Sequence, residues 1–305
     1  MDIRPTLPYT YECFEETLFK IENAYSKVKI KSIGKSLMGR DLYAVKVGCG
    51  EKKVFINGAH HANEWITTPL LLKYLYEFLV AEEKGKLIGG IDAKMLFNET
   101  TLHMVPLVNP DGMELVAGGA KEGSELFENA KRISKRYPGI PFPSGWKANA
   151  AGVDLNLNYP AMWGRARETK KSLGISSPAP RDFVGHSPLC APEARAVYDY
   201  TLSNGFCLTL SYHTQGKVIY WKYHDFLPLS SEEIALALSC ASGYKTEVTP
   251  SESGYAGYKD WFISCYDKPG YTIEAGEGES PLPIEQFDEM YRDNEPLIAL
   301  AMHMA

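Results

Sequence analysis

The residue pattern predicts an α/β fold: one domain over residues 1–305, with a mixed sheet covered on both faces by helices. Three observations carry this. Short apolar runs of strand length recur at residues 53–57, 101–108, 206–212 and 270–275. Between them lie stretches of 3.6-residue spacing, the clearest being Leu70, Leu71, Tyr74, Leu75, Phe78 and Leu79. No Ser/Gly-rich linker, repeat or low-complexity run marks a boundary in the 305 residues.

The elements follow in order. Phe14, Leu18, Ile21 and Ala24 share one side of a helix over residues 15–25. Residues 28–33 alternate like a strand, and a turn at Gly39-Arg40-Asp41 leads into a second strand over 42–47, a hairpin. The strand at 53–57 ends in Gly58-Ala59-His60-His61; Thr67 or Thr68 can then cap a helix with Pro69 in its first turn. Asn109-Pro110-Asp111-Gly112 reads as a turn closing the 101–108 strand. Residues 113–150 read as irregular with one basic helix, whose Lys131, Arg132, Lys135 and Arg136 form a solvated face. Helices are predicted at 192–202, from Ser230 to a C-cap at Gly243, at 258–265 and at 284–303, with a further strand at 217–221.

Composition narrows the function. Hydrophobic content is 45%, ordinary for a sizeable core, and the net charge is −6, from 32 basic and 38 acidic residues. Scattered cations and a net negative charge argue against a nucleic-acid partner. No apolar run approaches the roughly 20 residues that span a bilayer, so no membrane partner is expected. Met1-Asp2-Ile3-Arg4-Pro5 has no apolar signal region. Cys13, Cys49, Cys190, Cys207, Cys240 and Cys265 form no C-x-x-C pair. Reduced, buried thiols and a cytoplasmic location are therefore expected.

Four separated segments read together as a zinc hydrolase site: His61-Ala62-Asn63-Glu64, Gly152-Val153-Asp154-Leu155-Asn156, Ser211-Tyr212-His213-Thr214 and Tyr271-Thr272-Ile273-Glu274. Two histidines, one glutamate and a water make a four-coordinate catalytic zinc with one open position, and a second, non-ligating glutamate suits the general base. H-x-x-E alone is a weak signal; here it follows a strand and precedes a helix, where α/β folds place their sites. His60 and His61 cannot point the same way from extended backbone, so one is a ligand and the other is support or surface. Glu274 lies just inside a β-run, where it either faces water on an edge strand or serves a function.

These segments carry a family resemblance. Gly58-Ala59-His60-His61-Ala62-Asn63-Glu64-Trp65 resembles the zinc-binding segment of the zinc carboxypeptidases, the relatives of carboxypeptidases A and B. Ser36-Leu37-Met38-Gly39-Arg40, Pro106-Leu107-Val108-Asn109-Pro110-Asp111-Gly112, Trp146-Lys147-Ala148-Asn149, Gly152-Val153-Asp154-Leu155-Asn156 and Ser211-Tyr212-His213 resemble that family's other blocks in the same order. The resemblance spans residues 10–300 or so and implies a sheet of about eight strands and one zinc per chain. It implies His61, Glu64 and His213 as zinc ligands and Glu274 as the general base. Asp154 would accept a hydrogen bond from the His61 ring, Lys147 would stand where the family carries an oxyanion-stabilising arginine, and Asn156 would help hold the substrate.

Two departures shape the substrate expectation. The family's carboxylate-binding arginine after that asparagine is here Leu157, which cannot fork onto a C-terminal carboxylate. Lys259, before Asp260-Trp261, falls where the family sets specificity at the pocket floor, and a cation there favours a substrate carrying a carboxylate. Tyr255 and Tyr258 are the candidates for the family's mobile tyrosine. Ser211-Tyr212-His213-Thr214-Gln215-Gly216, Asn156-Leu157-Asn158-Tyr159-Pro160 and Gly257-Tyr258-Lys259-Asp260-Trp261-Phe262 resemble the bacterial γ-D-glutamyl-diamino acid peptidases. The expectation is thus a zinc-dependent peptidase acting on peptide or muropeptide substrates, cutting between γ-D-glutamate and meso-diaminopimelate. The alternatives are a carboxypeptidase releasing acidic C-terminal residues, anchored by Arg165 or Arg167, a deacylase of N-acyl amino acids, and a non-catalytic muropeptide-binding protein.

Overall fold

In the computed structural model, which describes residues 1–250 and 253–305, eight strands form one mixed sheet in the order β1-β2-β6-β3-β7-β10-β8-β9. The strands are β1 (Lys29–Lys35), β2 (Asp41–Gly48), β3 (Lys52–Gly58), β6 (Thr100–Val105), β7 (Leu208–His213), β8 (Val218–Tyr220), β9 (Lys245–Glu247) and β10 (Gly270–Glu274). A separate two-stranded hairpin pairs β4 (Leu87–Ile88) with β5 (Ile91–Asp92). The hairpin β1–β2 is antiparallel, as its turn residues predict, while β6, β3, β7 and β10 run parallel through the centre. Parallel neighbours need crossovers, and the helices supply them. These are α1 (Tyr11–Ala24), α2 (Thr67–Lys84), α3 (Ala93–Glu99), α4 (Pro110–Val116), α5 (Glu125–Ser134), α6 (Trp163–Ser172), α7 (Pro192–Leu202), α8 (Ser231–Ser242), α9 (Tyr258–Tyr266) and α10 (Phe287–Met304).

Strand alternation divides the core in two. Val54 and Ile56 of β3 face a cluster with Leu75 and Phe78 of α2, Leu18 of α1, Leu238 of α8 and Leu297 of α10. Phe55, between them in sequence, faces the other side with Val197 of α7 and Phe262 of α9. Both faces are therefore covered, which accounts for continuous apolar runs in central strands such as Leu208–His213, buried throughout. Among the described residues no helix is long and apolar enough to cross a membrane.

Several sequence expectations need correction. Asn109 to Gly112 is not a free turn: Asn109 is the N-cap of α4, accepting a hydrogen bond from Gly112 N (3.0 Å), with Pro110 in the first helical turn. Thr67 and Thr68 lie inside the first turn of α2 and cap nothing; Thr67 Oγ1 donates to Glu64 O (2.9 Å) and Thr68 Oγ1 to Pro106 O (2.8 Å). Residues 113–150 hold two helices' worth of order, the end of α4 and all of α5. Helices α3 and α6 and the edge strand β9 escaped the periodicity reading, because each is short or strongly polar. The six cysteines are free thiols as expected but are not buried: Cys49, Cys190, Cys240 and Cys265 are exposed and Cys13 and Cys207 half-buried.

The fold positions the site through strand ends. Gly58 of β3 is opposite Tyr212 of β7, and His213 of β7 is opposite Glu274 of β10, so three carboxyl-terminal strand ends lie side by side. Ala59, with φ +53, bends the chain out of β3 in a conformation that L-residues seldom adopt. Asn109 ties this bend to a neighbouring loop: its Nδ2 donates to His60 O (3.1 Å) and Ala148 O (3.0 Å) while its Oδ1 caps α4. Asn109→Ala removes a cap and the donor to the buried His60 carbonyl, while Ala148 O keeps its bond from Trp146 Nε1, and is expected to cost about 2–3 kcal/mol. Denaturant unfolding of the variant checks this.

Candidate metal centre and active site

The bend at Ala59 sends two adjacent histidines in opposite directions. His60 is fully buried and its Nε2 lies 2.9 Å from the Tyr159 hydroxyl, a supporting contact. His61 turns the other way. Its Nδ1 lies 2.9 Å from Glu64 Oε1 and 3.2 Å from His213 Nδ1, and His213 Nδ1 is 2.9 Å from Glu64 Oε2. A one-turn 3₁₀ segment, Ala62–Glu64, brings Glu64 back beside His61 across the three-residue spacing.

This donor set fits zinc. Bonds of about 2.0–2.1 Å in a tetrahedral arrangement place neighbouring donors about 3.3 Å apart, close to the observed spacings. His61, Glu64 and His213 could together hold one ion, with the ligating atoms within 4.8 Å of one another. Two imidazole nitrogens facing each other at 3.2 Å beside a carboxylate form an arrangement that a cation completes. The electrostatics agree. Burial alone would favour a neutral His61, yet Glu64 and Asp154 raise it to about 9. Burial likewise opposes ionisation of Glu64, but His61, Lys147 and the hydrogen bonds from both histidines hold it well below the usual carboxylate range. Positive charge is therefore favoured at this point, and a metal ion displaces the proton.

The surrounding residues fall where the sequence placed them, with exceptions. Asp154 Oδ1 lies 3.2 Å from His61 Nε2, orienting the ring so that Nδ1 faces the donor set. Lys147 Nζ donates to Glu64 Oε1 at 2.8 Å, with two ammonium hydrogens left over. Glu274 ends a strand in the middle of the sheet, between β7 and β8, and lines a cavity of about 300 Å³ that contains the donor set. The possibility of a water-facing edge strand is thereby removed. Burial, and next the Glu64 carboxylate, push Glu274 up to about 8.

Asn156 and Lys259 also line this cavity. Asn156 Oδ1 accepts from Tyr258 N (3.1 Å) at the start of α9. Lys259 is 4% exposed, so it is a pocket residue and not a helix-surface lysine; its Nζ donates to Lys222 O (2.8 Å) and Thr249 Oγ1 (3.2 Å) and lies 2.8 Å from Asp260 Oδ1. It is half of an ion pair, not a lone cation. Leu157 borders the cavity but packs with Ala166, Val184 and Ala256, in place of any fork.

Neither tyrosine candidate lines the cavity in this structure. Tyr258 is fully buried, its hydroxyl 3.0 Å from Thr201 Oγ1, because the first turn of α9 faces the core. Tyr255 packs against the small cluster of Leu157, Ala166, Val184 and Ala256, with its ring 5.0 Å from that of His224, and is not part of the cavity lining. The tyrosine that does line the cavity is Tyr220 of β8, opposite Thr272. Arg165 and Arg167 do not reach it either: Arg165 pairs with Glu168 in solvent and Arg167 lies over Trp163. Beside Lys147 and Lys259, the cations that do are Lys170 and Arg181, unmarked by any local motif.

Known proteins place the chain in context. Residues 14–296 match the zinc carboxypeptidase family. The γ-D-glutamyl-L-diamino acid endopeptidase 1 of Lysinibacillus sphaericus is 40% identical over 285 residues, covering 93% of this chain and 70% of that protein. The human carboxypeptidase N catalytic chain is 28% identical over 225 residues, covering 70% of this chain and 44% of that one. In three dimensions, bovine thrombin-activatable fibrinolysis inhibitor, solved with tick carboxypeptidase inhibitor, superposes with a TM-score of 0.73 at 19% identity, over 97% of this chain and 96% of that one. The donor set, the eight-stranded mixed sheet and a match over most of the sequence lead to one conclusion: the chain belongs to the zinc carboxypeptidase family and is a zinc-dependent hydrolase of peptide bonds.

Proposed function

We propose that this protein cuts the amide bond between γ-D-glutamate and a diamino acid, meso-diaminopimelate, in peptidoglycan stem peptides. The observation that carries this reading is the cavity floor. A carboxypeptidase needs a forked cation for the C-terminal carboxylate, and Leu157 stands there instead. In the same cavity, where Asn156 Oδ1 accepts from Tyr258 N, the lining presents a buried Lys259–Asp260 pair. An ion pair of this kind complements a zwitterion: Lys259, exchanging its 3.2 Å contact with Thr249, would pair with the carboxylate and Asp260 with the ammonium at the far end of a diaminopimelate side chain. The likeness to the Lysinibacillus endopeptidase supports the same substrate class. A carboxypeptidase for acidic C-termini has no comparable support, since Arg165 and Arg167 lie off the cavity.

The chemistry follows from the residues in place. Zinc held by His61, Glu64 and His213 supplies a Lewis acid and an acidified water at neutral pH. Glu274, whose carboxylate makes no hydrogen bond among the described residues and is pushed up to about 8, would be ionised beside a bound cation; it takes the proton of the attacking water and returns it to the leaving amine. Lys147 places its spare ammonium hydrogens beside the donor set, where negative charge builds on the scissile carbonyl oxygen. Lysine gives charge without the bidentate geometry of arginine. His61 keeps its orientation through Asp154.

Incubation with a defined tetrapeptide stem, in which a residue follows the diaminopimelate, and mass analysis of the fragments test the proposal. The expected fragments are L-alanyl-γ-D-glutamate and a diaminopimelate-bearing remainder, and amidation of the substrate's C-terminus leaves the cut in place. Release of the C-terminal residue instead, blocked by that amide, would sink the substrate assignment. Glu274→Gln is expected to retain one zinc per chain by metal analysis and lose about 10²–10⁴-fold in kcat. Lys147→Ala is expected to lower kcat about 10²–10³-fold, with Lys147→Arg recovering part of it in the same assay. Chelation should abolish turnover and lower Tm, and added zinc should restore both, since an ion bound only by the folded chain stabilises it.

A further inference from the structure

Two cations at the site have no part in the chemistry above: Lys170, buried and engaged with Asp182 Oδ1 at 2.7 Å, and Arg181. Arg181 borders both the 300 Å³ cavity and an adjoining hollow of about 650 Å³, whose walls include Asn63, Ser144, Thr214 and Gln215. Lys147 is also common to the two chambers, but Glu274 and the Lys259–Asp260 pair belong to the first alone. Since Glu274 must reach the leaving amine, the amine side of the scissile bond lies in the first chamber. The acyl side then extends past Lys147 into the second.

Position 181 is held from both sides. Pro180 O accepts from Lys147 N (2.8 Å) and Ala148 N (2.9 Å), and Asp182 N donates to Asp154 Oδ2 (3.1 Å). The Arg181 side chain is 45% exposed, and only its Nε is engaged, with Asp182 Oδ2 at 2.9 Å. Among the described residues its two terminal nitrogens make no hydrogen bond, so a planar fork faces the solvent at the junction of the chambers.

A γ-glutamyl bond differs from an ordinary peptide bond in one charge. The acyl residue keeps a free α-carboxylate, a short aliphatic spacer away from the scissile carbonyl. We infer that Arg181 is the residue that selects γ-glutamyl substrates, binding that α-carboxylate through its guanidinium fork on the acyl side of the cut. This rests on the γ-glutamyl substrate assignment above and adds the side chain that reads it. It also gives the acyl side a cation separate from the Lys259–Asp260 pair on the amine side.

The test compares kcat/KM for two stem tripeptides that differ only at the glutamate α-carboxyl, one a free acid and the other a primary amide. The wild type is expected to prefer the acid by about tenfold to a hundredfold, the range for a charge-assisted bidentate bond. In Arg181→Ala the ratio should fall close to one, while Arg181→Lys should keep part of it. Zinc content and Tm, measured on each variant, identify any that has lost its structure. A wild type that cuts both substrates equally well overturns the inference while leaving the γ-glutamyl peptidase reading intact. So does an Arg181→Ala variant that keeps the full preference, or that changes discrimination between diaminopimelate and lysine on the amine side instead. A wild type that leaves the γ-glutamyl bond uncut in both substrates refutes the substrate assignment, and the role of Arg181 falls with it.

Discussion

A buried carboxylate organises this molecule. Glu64 is 1% exposed, and His61, His213, Lys147 and the Thr214 backbone all direct a nitrogen at it. An ionised carboxylate withdrawn from water is costly unless positive charge and hydrogen bonds replace its hydration. Those replacements come from three stretches of the chain: the bend into the 3₁₀ turn after β3, the loop after α5, and the end of β7 with the residue beyond it. Zinc is the remaining positive charge that such a centre calls for. The site is therefore also a long-range tie across the sheet, and metal binding and stability are linked through the same atoms.

The parallel centre of the sheet explains why these groups meet. Side chains at the carboxyl ends of neighbouring parallel strands emerge at one edge, and the register of β3, β7 and β10 puts Gly58, His213 and Glu274 within adjacent rows. The bend at Ala59 turns one histidine toward the metal position and leaves the other packed on Tyr159. The segment from Lys147 to Asp182 then folds over the strand ends, and its backbone bonds to itself through Pro180, Phe183 and Asp154. That segment contributes Lys147, Asp154, Asn156, Lys170 and Arg181 to one cavity, although it forms no strand. The sheet edge carries His213 and Glu274, and an anchored loop carries Lys147, Lys170 and Arg181 to the same cavity.

Charge at the site is balanced in pairs. Lys147 answers Glu64, Lys259 answers Asp260, and Lys170 and Arg181 both answer Asp182. Burial of Glu64, Lys170, Lys259 and Asp260 is tolerable because each has an opposite partner within hydrogen-bonding reach, while Arg181 stays half exposed. Glu274 is the exception, with no such partner among the described residues, and its carboxyl is accordingly pushed up. A carboxyl free of structural duty and placed beside a metal position is suited to moving a proton.

Much of the fold was readable in one dimension. Alternation and 3.6-residue spacing located the central strands and the long helices α2, α7, α8 and α10, because burial on two faces imposes a pattern that local residues must carry. The same holds for His61, Glu64, His213 and Glu274, whose chemistry and strand-end context are properties of short segments. Helices α3 and α6, the capping role of Asn109 and the exposure of the cysteines were not readable, since each depends on what packs against it. The tyrosines show the limit most clearly. Tyr255 and Tyr258 sit close in sequence to the pocket residue Lys259, yet helix α9 turns Tyr258 into the core, and the tyrosine at the cavity is Tyr220, brought there by β8 pairing with β10. The sequence by itself determined which donors and which base exist, and in what order along the chain. Only the tertiary structure decided that Lys259 shares its charge with Asp260 and that Arg181 reaches the site. Both depend on distances between loops whose closure no local pattern encodes.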